Sequence, residues 1–154
     1  MNVGIVGAGN LGRSLALAID QDKIPGIRLT AINSRTKTSA LELAGMLSAD
    51  MPILPLTELV GSCDLIIEVA DAAAVEQIVI ESLNCRKSVM VLSCGALIGR
   101  SDLFELAKLR NCVIHVPSGA IIGLDGLMAA SQGYIYSVTI NTRKPPEGLK
   151  GSPG

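Results

Sequence analysis

Aromatic side chains are almost absent from this sequence, which has one Phe, two Tyr and no Trp among its 154 residues. Proteins that bind single-stranded nucleic acid stack successive bases on aromatic rings, so the composition argues against that class of function. The chain also has no excess of charge of either sign. Its 13 Lys and Arg residues nearly balance its 14 Asp and Glu residues, and the formal net charge is -1. Without a basic surplus there is no electrostatic reason to expect a polyanionic partner.

Long apolar runs and targeting signals are also missing. No stretch approaches the roughly 18 apolar residues that a membrane-spanning helix needs, and the chain opens on a strand-like segment instead of a basic, cleavable signal peptide. We therefore expect a cytoplasmic protein that binds neither nucleic acid nor membrane.

Cysteines in metal-binding or disulfide spacing are absent too. The four cysteines form no C-x-x-C pair, and one histidine cannot complete a zinc-finger pattern. In a reducing compartment we expect four free thiols and no bound metal. The cysteines are Cys63, Cys85, Cys94 and Cys112.

What the sequence does contain is a regular alternation of short aliphatic runs and helix-length amphipathic stretches, which is typical of βαβ units around a parallel sheet. The runs are almost continuously apolar, as in strands that helices cover on both faces. The candidate strands are residues 3–6, 28–32, 65–69, 88–93 and 112–116, with a weak candidate at 53–54. Ser39 and Glu42 have the spacing of a helix capping box. The pattern predicts an α/β fold with a Rossmann-like, doubly wound parallel sheet.

A glycine-rich loop stands between the first predicted strand and the first predicted helix. Residues 7–12 read Gly-Ala-Gly-Asn-Leu-Gly, the G-x-G-x-x-G pattern with which dinucleotide-binding folds hold a pyrophosphate. Gly7 permits a tight turn, Gly9 has no Cβ to obstruct the anion, and Gly12 lets helix and strand approach closely. The alternative is a glycine-rich turn without a ligand. The position of the motif between strand and helix favours binding of NAD or NADP.

The end of the second predicted strand bears on the choice between these cofactors. Proteins that bind NAD often have an acidic residue there, which accepts hydrogen bonds from the ribose hydroxyls, but residues 33–37 read Asn-Ser-Arg-Thr-Lys. Arg35 and Lys37 can pair with a 2′-phosphate, and Ser34 can donate a hydrogen bond to it. The alternative is a solvated basic turn. We expect NADP or NAD as the cofactor and favour NADP.

Residues 134–142 follow a different pattern, because apolar and polar side chains alternate as in a half-buried strand. No partner strand follows, and a single strand with an apolar face is not stable alone. It either pairs with another chain or begins a further part of a longer protein, and we favour the second. The predicted organisation is an NAD(P)-binding domain over residues 1–133, then the first strand and tail of an incomplete α+β domain over residues 134–154.

Four segments resemble the N-terminal part of the L-aspartate dehydrogenase family, and the resemblance covers essentially the whole chain. They are VGIVGAGNLG at 3–12, DLIIEVA at 64–70, VLSCGAL at 91–97 and PSGAIIGLD at 117–125. The resemblance implies a Rossmann domain followed by an α+β domain that supplies the substrate pocket, the oligomer contacts and a catalytic histidine. It also implies oxidation of L-aspartate to iminoaspartate by hydride transfer, a reaction that can feed NAD biosynthesis, by a homo-oligomer.

The same resemblance implies where the cofactor is contacted. The pyrophosphate is expected at the glycine loop, the adenosine ribose or the nicotinamide side just after the third strand, and the nicotinamide end after the fourth strand. Asn33 stands where the family often has an acidic residue, which leaves strict preference for NAD open. The candidate cofactor-binding residues are Gly7, Gly9, Asn10, Leu11, Gly12, Asn33, Ser34, Arg35, Ala70, Asp71, Leu92, Ser93 and Ala120.

No catalytic residue is predicted within these 154 residues. His115 ends the last predicted strand, where an acid or base would be useful, but we interpret it as an ordinary strand-end histidine, since the resemblance implies that the catalytic histidine lies beyond residue 154. Glu68, inside a strand, and Asp71, the expected cap of the next helix, are assigned no acid–base chemistry. Two other functions stay open: a nucleotide-binding or sensing module without catalysis, and a homoserine-dehydrogenase-like reductase domain.

Overall fold

A computed structural model describes residues 1–118, 123–141 and 143. In chain order its elements are β1 (Asn2–Val6), α1 (Asn10–Asp20), β2 (Arg28–Asn33), α2 (Lys37–Ala44), α3 (Leu56–Ser62), β3 (Leu65–Glu68), α4 (Ala72–Asn84), β4 (Ser88–Val91), α5 (Ser101–Arg110), β5 (Ile114–His115) and α6 (Leu124–Ala130). The chain divides into two compact units, Met1–Gly119 and Ala120–Gly154. The predicted boundary at residue 133 stays a prediction.

The first unit is built around a parallel sheet with the strand order β2-β1-β3-β4-β5. Ile53 adds an isolated parallel bridge to Ile32 at the outer side of β2. With this bridge the sheet follows the Rossmann order 3-2-1-4-5-6. The weak strand candidate at 53–54 is reduced to a single bridge because Pro52 and Pro55 flank it, and proline has no amide hydrogen to donate to a ladder.

Helices cover both faces of the sheet, as a doubly wound fold requires. Ile66 packs in a cluster with residues of α3, α4 and α5. Its neighbours in β3, Leu65 and Ile67, pack in a second cluster with residues of α1 and α2. Successive side chains of a strand point to opposite faces, so the two clusters are the two sides of one core. The predicted α/β fold is confirmed.

The predicted capping box is wrong. Helix α2 begins at Lys37 with Thr36 as its N-cap, and no side chain caps it. Ser39 therefore lies inside the helix, and Glu42 instead forms an ion pair with Arg13 of α1. The side chain of Glu42 therefore joins α2 to α1 instead of capping the start of α2.

Residues 134–141 form no strand in the structure. None of the described residues pairs with them, and an unpaired segment has no ladder to hold it extended. Thr142 and the tail from 144 onward lie outside the described residues. Among the helices that are described, none has the length and apolar character to cross a membrane.

Candidate functional site

The loop between β1 and α1 contains three glycines with different surroundings. Gly7 has a φ of +123°, and a Cβ on it would lie 2.5 Å from the carbonyl oxygen of Val69. A Cβ on Gly12 would collide with the carbonyl oxygen of Gly7. A Cβ on Gly9 would meet nothing within 4 Å. The fold itself therefore requires Gly7 and Gly12, whereas Gly9 has no packing partner that explains it.

The start of α1 is a natural place for an anion. Gly9 is the N-cap of the helix, no side chain caps it, and no acidic residue lies in its first turn. The first backbone N–H groups of a helix have no partner within the helix, and the helix dipole gives this end a partial positive charge. A phosphate group placed there would accept hydrogen bonds from these amides.

A groove with a volume of about 520 Å³ begins at this loop and runs along the carboxyl ends of β2 and β3 to the first turns of α2 and α4. Its lining residues are Val6, Gly7, Ala8, Gly9, Asn33, Ser34, Arg35, Thr36, Ser39, Leu56, Val69, Ala70, Asp71, Ala74, Gln77 and Ile78. In open α/β sheets, ligands bind outside the carboxyl ends of the strands, where the strand order reverses. Here that point lies between β1 and β3.

The groove brings together seven of the residues that the sequence singled out. They come from three separate loops that share one edge of the sheet. These residues are Gly7, Gly9, Asn33, Ser34, Arg35, Ala70 and Asp71.

Other candidate residues lie outside the lining. Asn10 and Leu11 occupy the first turn of α1 and Gly12 packs against the loop itself. Leu92, after β4, packs against the core. Ser93 is hydrogen-bonded to the end of β3. Ala120 lies outside the described residues.

Sequence reasoning missed nine of the lining residues. Three of them, Val6, Ala8 and Val69, stand directly beside predicted residues of the glycine loop and of the end of β3. The other six lie at the starts of α2, α3 and α4. The signal was available for most of them, because they lie within the first two turns of α2 or α4, directly after a predicted strand end. Helical spacing brings Gln77 and Ile78 beside Ala74. These six residues are Thr36, Ser39, Leu56, Ala74, Gln77 and Ile78.

Polar side chains from the ends of β2 and β3 meet across the end of β1, which lies between these two strands. The Nη1 atom of Arg35 donates to Oδ2 of Asp71 at 2.9 Å. The other carboxylate oxygen of Asp71, Oδ1, accepts from the backbone N–H of Ala74 at 3.1 Å and caps α4. Asn33 donates from its Nδ2 to the carbonyl oxygen of Leu54 at 2.6 Å. The expected role of Asp71 as a helix cap is confirmed.

A buried carboxylate joins the ends of β3 and β4. Glu68 is 0% exposed. Its Oε1 accepts from the backbone N–H of Ala70 at 2.8 Å and from Oγ of Ser93 at 2.9 Å, and its Oε2 accepts from the backbone N–H of Ser93 at 3.0 Å. All three partners are donors, so the carboxylate is satisfied as an acceptor. No sequence motif indicated this role of Glu68.

Two chemically reactive side chains lie apart from the groove. His115 ends β5 and is exposed, and it is not among the residues that line the groove. Cys94 is half-buried, and its thiol donates to the carbonyl oxygen of Val91 at 3.2 Å. Within the described residues, no group of three or more His, Cys, Asp or Glu side chains is arranged to hold a metal ion.

A parallel sheet in Rossmann order, with a glycine loop that opens an uncapped helix onto a groove, defines a dinucleotide-binding domain. The family profile described as "Homoserine dehydrogenase, NAD binding domain" matches residues 7–117. The chain belongs to this family, and its cofactor is NAD or NADP.

The curated relatives confirm the resemblance to L-aspartate dehydrogenases. The chain is 44% identical to the L-aspartate dehydrogenase of Methanocella arvoryzae, over 98% of this chain and 57% of that protein. It is also 44% identical to that of Methanosarcina acetivorans, over 99% of this chain and 58% of the relative. The chain thus spans little more than half the length of these relatives.

Solved structures confirm the fold. Biliverdin reductase of Synechocystis, crystallised with biliverdin and NADP+, has a TM-score of 0.68 and 21% identity, over 85% of this chain and 42% of that one. At this identity the likeness concerns the fold alone.

Proposed function

We propose that the chain is the cofactor-binding part of an NAD(P)-dependent dehydrogenase that oxidises L-aspartate to iminoaspartate. The similarity to L-aspartate dehydrogenases over nearly all of this chain supports the reaction. The observation that supports cofactor binding best is Gly9, whose missing side chain leaves space beside an uncapped helix start at the end of the groove. We further propose a cytoplasmic homo-oligomer that acts on this small substrate.

In this proposal the pyrophosphate lies against the glycine loop, with hydrogen bonds from the amides near Asn10 and Leu11. The adenosine ribose lies between the ends of β2 and β3, where Asn33, Ser34, Arg35, Ala70 and Asp71 are the proposed contacts. The nicotinamide side extends toward Leu92 and Ser93, and Ala120, which lies outside the described residues, stays a contact that the family resemblance implies. When bound, the nicotinamide supplies the hydride acceptor, and this chain binds and orients it.

The groove supports NADP as well as NAD. Arg35 is the basic residue among those that line it, and Ser34, Thr36 and Ser39 supply hydroxyl groups beside the start of α2. A guanidinium group with hydroxyl donors is a suitable environment for a 2′-phosphate. No lining residue at the end of β2 supplies a carboxylate that would repel this phosphate.

The test of cofactor binding is calorimetric titration of NAD and NADP onto the chain and its Gly9→Ala variant. The added methyl group enters the space proposed for the pyrophosphate, so we expect at least a ten-fold loss of affinity for both cofactors. Gly61→Ala is the matched control, because a Cβ on Gly61 of α3 also meets nothing within 4 Å but lies away from the groove. Equal affinities of the two variants would contradict the proposal.

The 2′-phosphate contact has its own test. Arg35→Ala removes a charge-assisted hydrogen bond, which contributes roughly 1.5–3 kcal/mol, so affinity for NADP should fall about ten-fold or more. Affinity for NAD should change little, because NAD has no phosphate at that position. Unchanged affinity for NADP would show that Arg35 does not contact the 2′-phosphate.

The substrate needs a separate assay. We propose that the pocket for L-aspartate and the catalytic histidine belong to the portion of the relatives that this chain does not span. The purified 154-residue chain should therefore bind cofactor but form negligible NAD(P)H from L-aspartate. A second candidate is a reductase acting on homoserine, which the matching family profile favours. Parallel assays with L-aspartate and L-homoserine, on this chain extended to the full length of its relatives, distinguish the two.

A further inference from the structure

The groove lacks the acidic residue that Rossmann domains use at the end of the second strand to bind the ribose of NAD. Asn33 occupies that position, and its side-chain amide is engaged with the carbonyl oxygen of Leu54 at 2.6 Å. Among the described residues that line the groove, the carboxylate is that of Asp71, which follows β3 instead of β2. The acidic group of the groove therefore comes from the loop after β3, and β1 lies between β3 and β2 in the sheet.

The two members of the Arg35–Asp71 ion pair are held with unequal firmness. Asp71 is fixed by its role as the N-cap of α4, through the hydrogen bond from Ala74 at 3.1 Å, and its side chain is 44% exposed. The side chain of Arg35 is 86% exposed, and the bond to Asp71 at 2.9 Å is the contact that holds it. A ligand can therefore draw Arg35 away by rotation about its side-chain bonds, while the carboxylate of Asp71 stays in place.

We propose that Asp71 is a specificity residue that sets the balance between NAD and NADP, an inference that rests on the proposed function. With NAD, the Oδ2 atom of Asp71 accepts a hydrogen bond from an adenosine ribose hydroxyl. With NADP, Arg35 leaves Asp71 for the 2′-phosphate, and the nearby carboxylate repels that phosphate. Asp71 thus favours NAD over NADP in two ways. It accepts a hydrogen bond from the ribose of NAD, and it competes with the 2′-phosphate of NADP for Arg35.

Asp71→Asn is the informative variant, because asparagine caps a helix about as well as aspartate and so preserves the hydrogen bond from Ala74. Removing the negative charge should raise affinity for NADP and lower affinity for NAD. Opposite charges in a partly exposed groove interact moderately, so we expect the ratio of NADP to NAD affinity to rise about ten-fold. The increase should shrink as salt is added, because exposed charges are screened.

Glu76→Gln is the matched control. Glu76 is an exposed carboxylate on the same helix, paired with Arg100 and absent from the groove lining. Its neutralisation changes the net charge equally and should leave the affinity ratio within about two-fold. Asp71→Ser, another strong N-cap residue, should act in the same direction as Asp71→Asn and tests the inference if the first variant does not fold.

The outcomes separate this inference from the proposed function. Binding of both cofactors with an unchanged or lowered ratio in Asp71→Asn and Asp71→Ser would overturn the inference and leave the proposed function standing. A change of the same size in Glu76→Gln would also overturn it, since net charge alone would then explain the effect. Binding of neither cofactor by the unsubstituted chain would overturn the proposed function and this inference with it.

Discussion

Replacement of Glu68 by alanine removes one side chain that accepts three hydrogen bonds at the carboxyl edge of the sheet. The donors are the backbone N–H of Ala70 and both the backbone N–H and the hydroxyl of Ser93. Glu68 itself is 0% exposed, so its place would be taken by a cavity beside these donors. We expect the ends of β3 and β4 to lose the hydrogen bonds that the Glu68 side chain makes between them.

The magnitude follows from the donors that remain. A buried donor left without an acceptor costs about 1–3 kcal/mol. Ala70 is exposed and Ser93 is half-buried, so water can accept some of the hydrogen bonds that these residues donate to Glu68. Loss of the buried charge also removes its desolvation cost from the folded state, which offsets part of the effect. The expected decrease in the free energy of unfolding is about 2–4 kcal/mol.

Urea denaturation followed by circular dichroism measures this decrease for Glu68→Ala, Glu68→Gln and Ser93→Ala. Glutamine keeps one acceptor oxygen, so its effect should be intermediate. Ser93→Ala removes only the hydroxyl donor and should cost about 1 kcal/mol. A loss below about 1 kcal/mol in Glu68→Ala would contradict this expectation, because the carboxylate would then contribute no more than one ordinary hydrogen bond.

Gly12→Ala should destabilise the fold by about 1–3 kcal/mol in the same denaturation assay, because its Cβ would collide with a backbone carbonyl oxygen; wild-type stability would contradict the close helix–strand approach. Hydrogen bonds from the hydroxyl and the backbone amide of Ser48 hold the pKa of Asp20 below its ordinary value. Because the pKa is lowered, these hydrogen bonds to the Asp20 carboxylate stabilise the fold above about pH 4, and this stabilisation is lost as the pH falls further. Ser48→Ala should raise the pKa of Asp20 in an NMR titration. An unchanged pKa would exclude the hydroxyl of Ser48 as the main cause of the lowered pKa. A thiol-specific disulfide reagent should label exposed Cys85 first and Cys63 last, because burial raises the pKa of the Cys63 thiol; a fast phase that survives Cys85→Ser would show that another thiol is the reactive one.

The fold class and the location of the glycine loop could be predicted from short stretches of sequence. Short apolar runs that alternate with amphipathic stretches are a local property, and the G-x-G-x-x-G pattern between a strand and a helix is confined to a few residues. The reasons for glycine at positions 7 and 12, a tight turn at Gly7 and a close approach of helix and strand at Gly12, could be stated from the sequence. The geometry of a strand–turn–helix unit is the same wherever it occurs. Local rules failed where a distant group competed, as when Glu42 paired with Arg13 instead of capping its own helix.

Which polar groups meet at the carboxyl edge of the sheet depends on the assembled fold. Arg35 and Asp71 are 36 residues apart, and Glu68 and Ser93 are 25 residues apart. In the sheet β3 and β4 are neighbours, and β1 alone separates β2 from β3. These pairings depend on the order of the strands, since the carboxyl ends of parallel strands lie along one edge of the sheet whatever their separation along the chain. A pattern of residues indicates that a strand ends with a polar side chain, but only the assembled sheet brings that side chain within hydrogen-bonding distance of a partner.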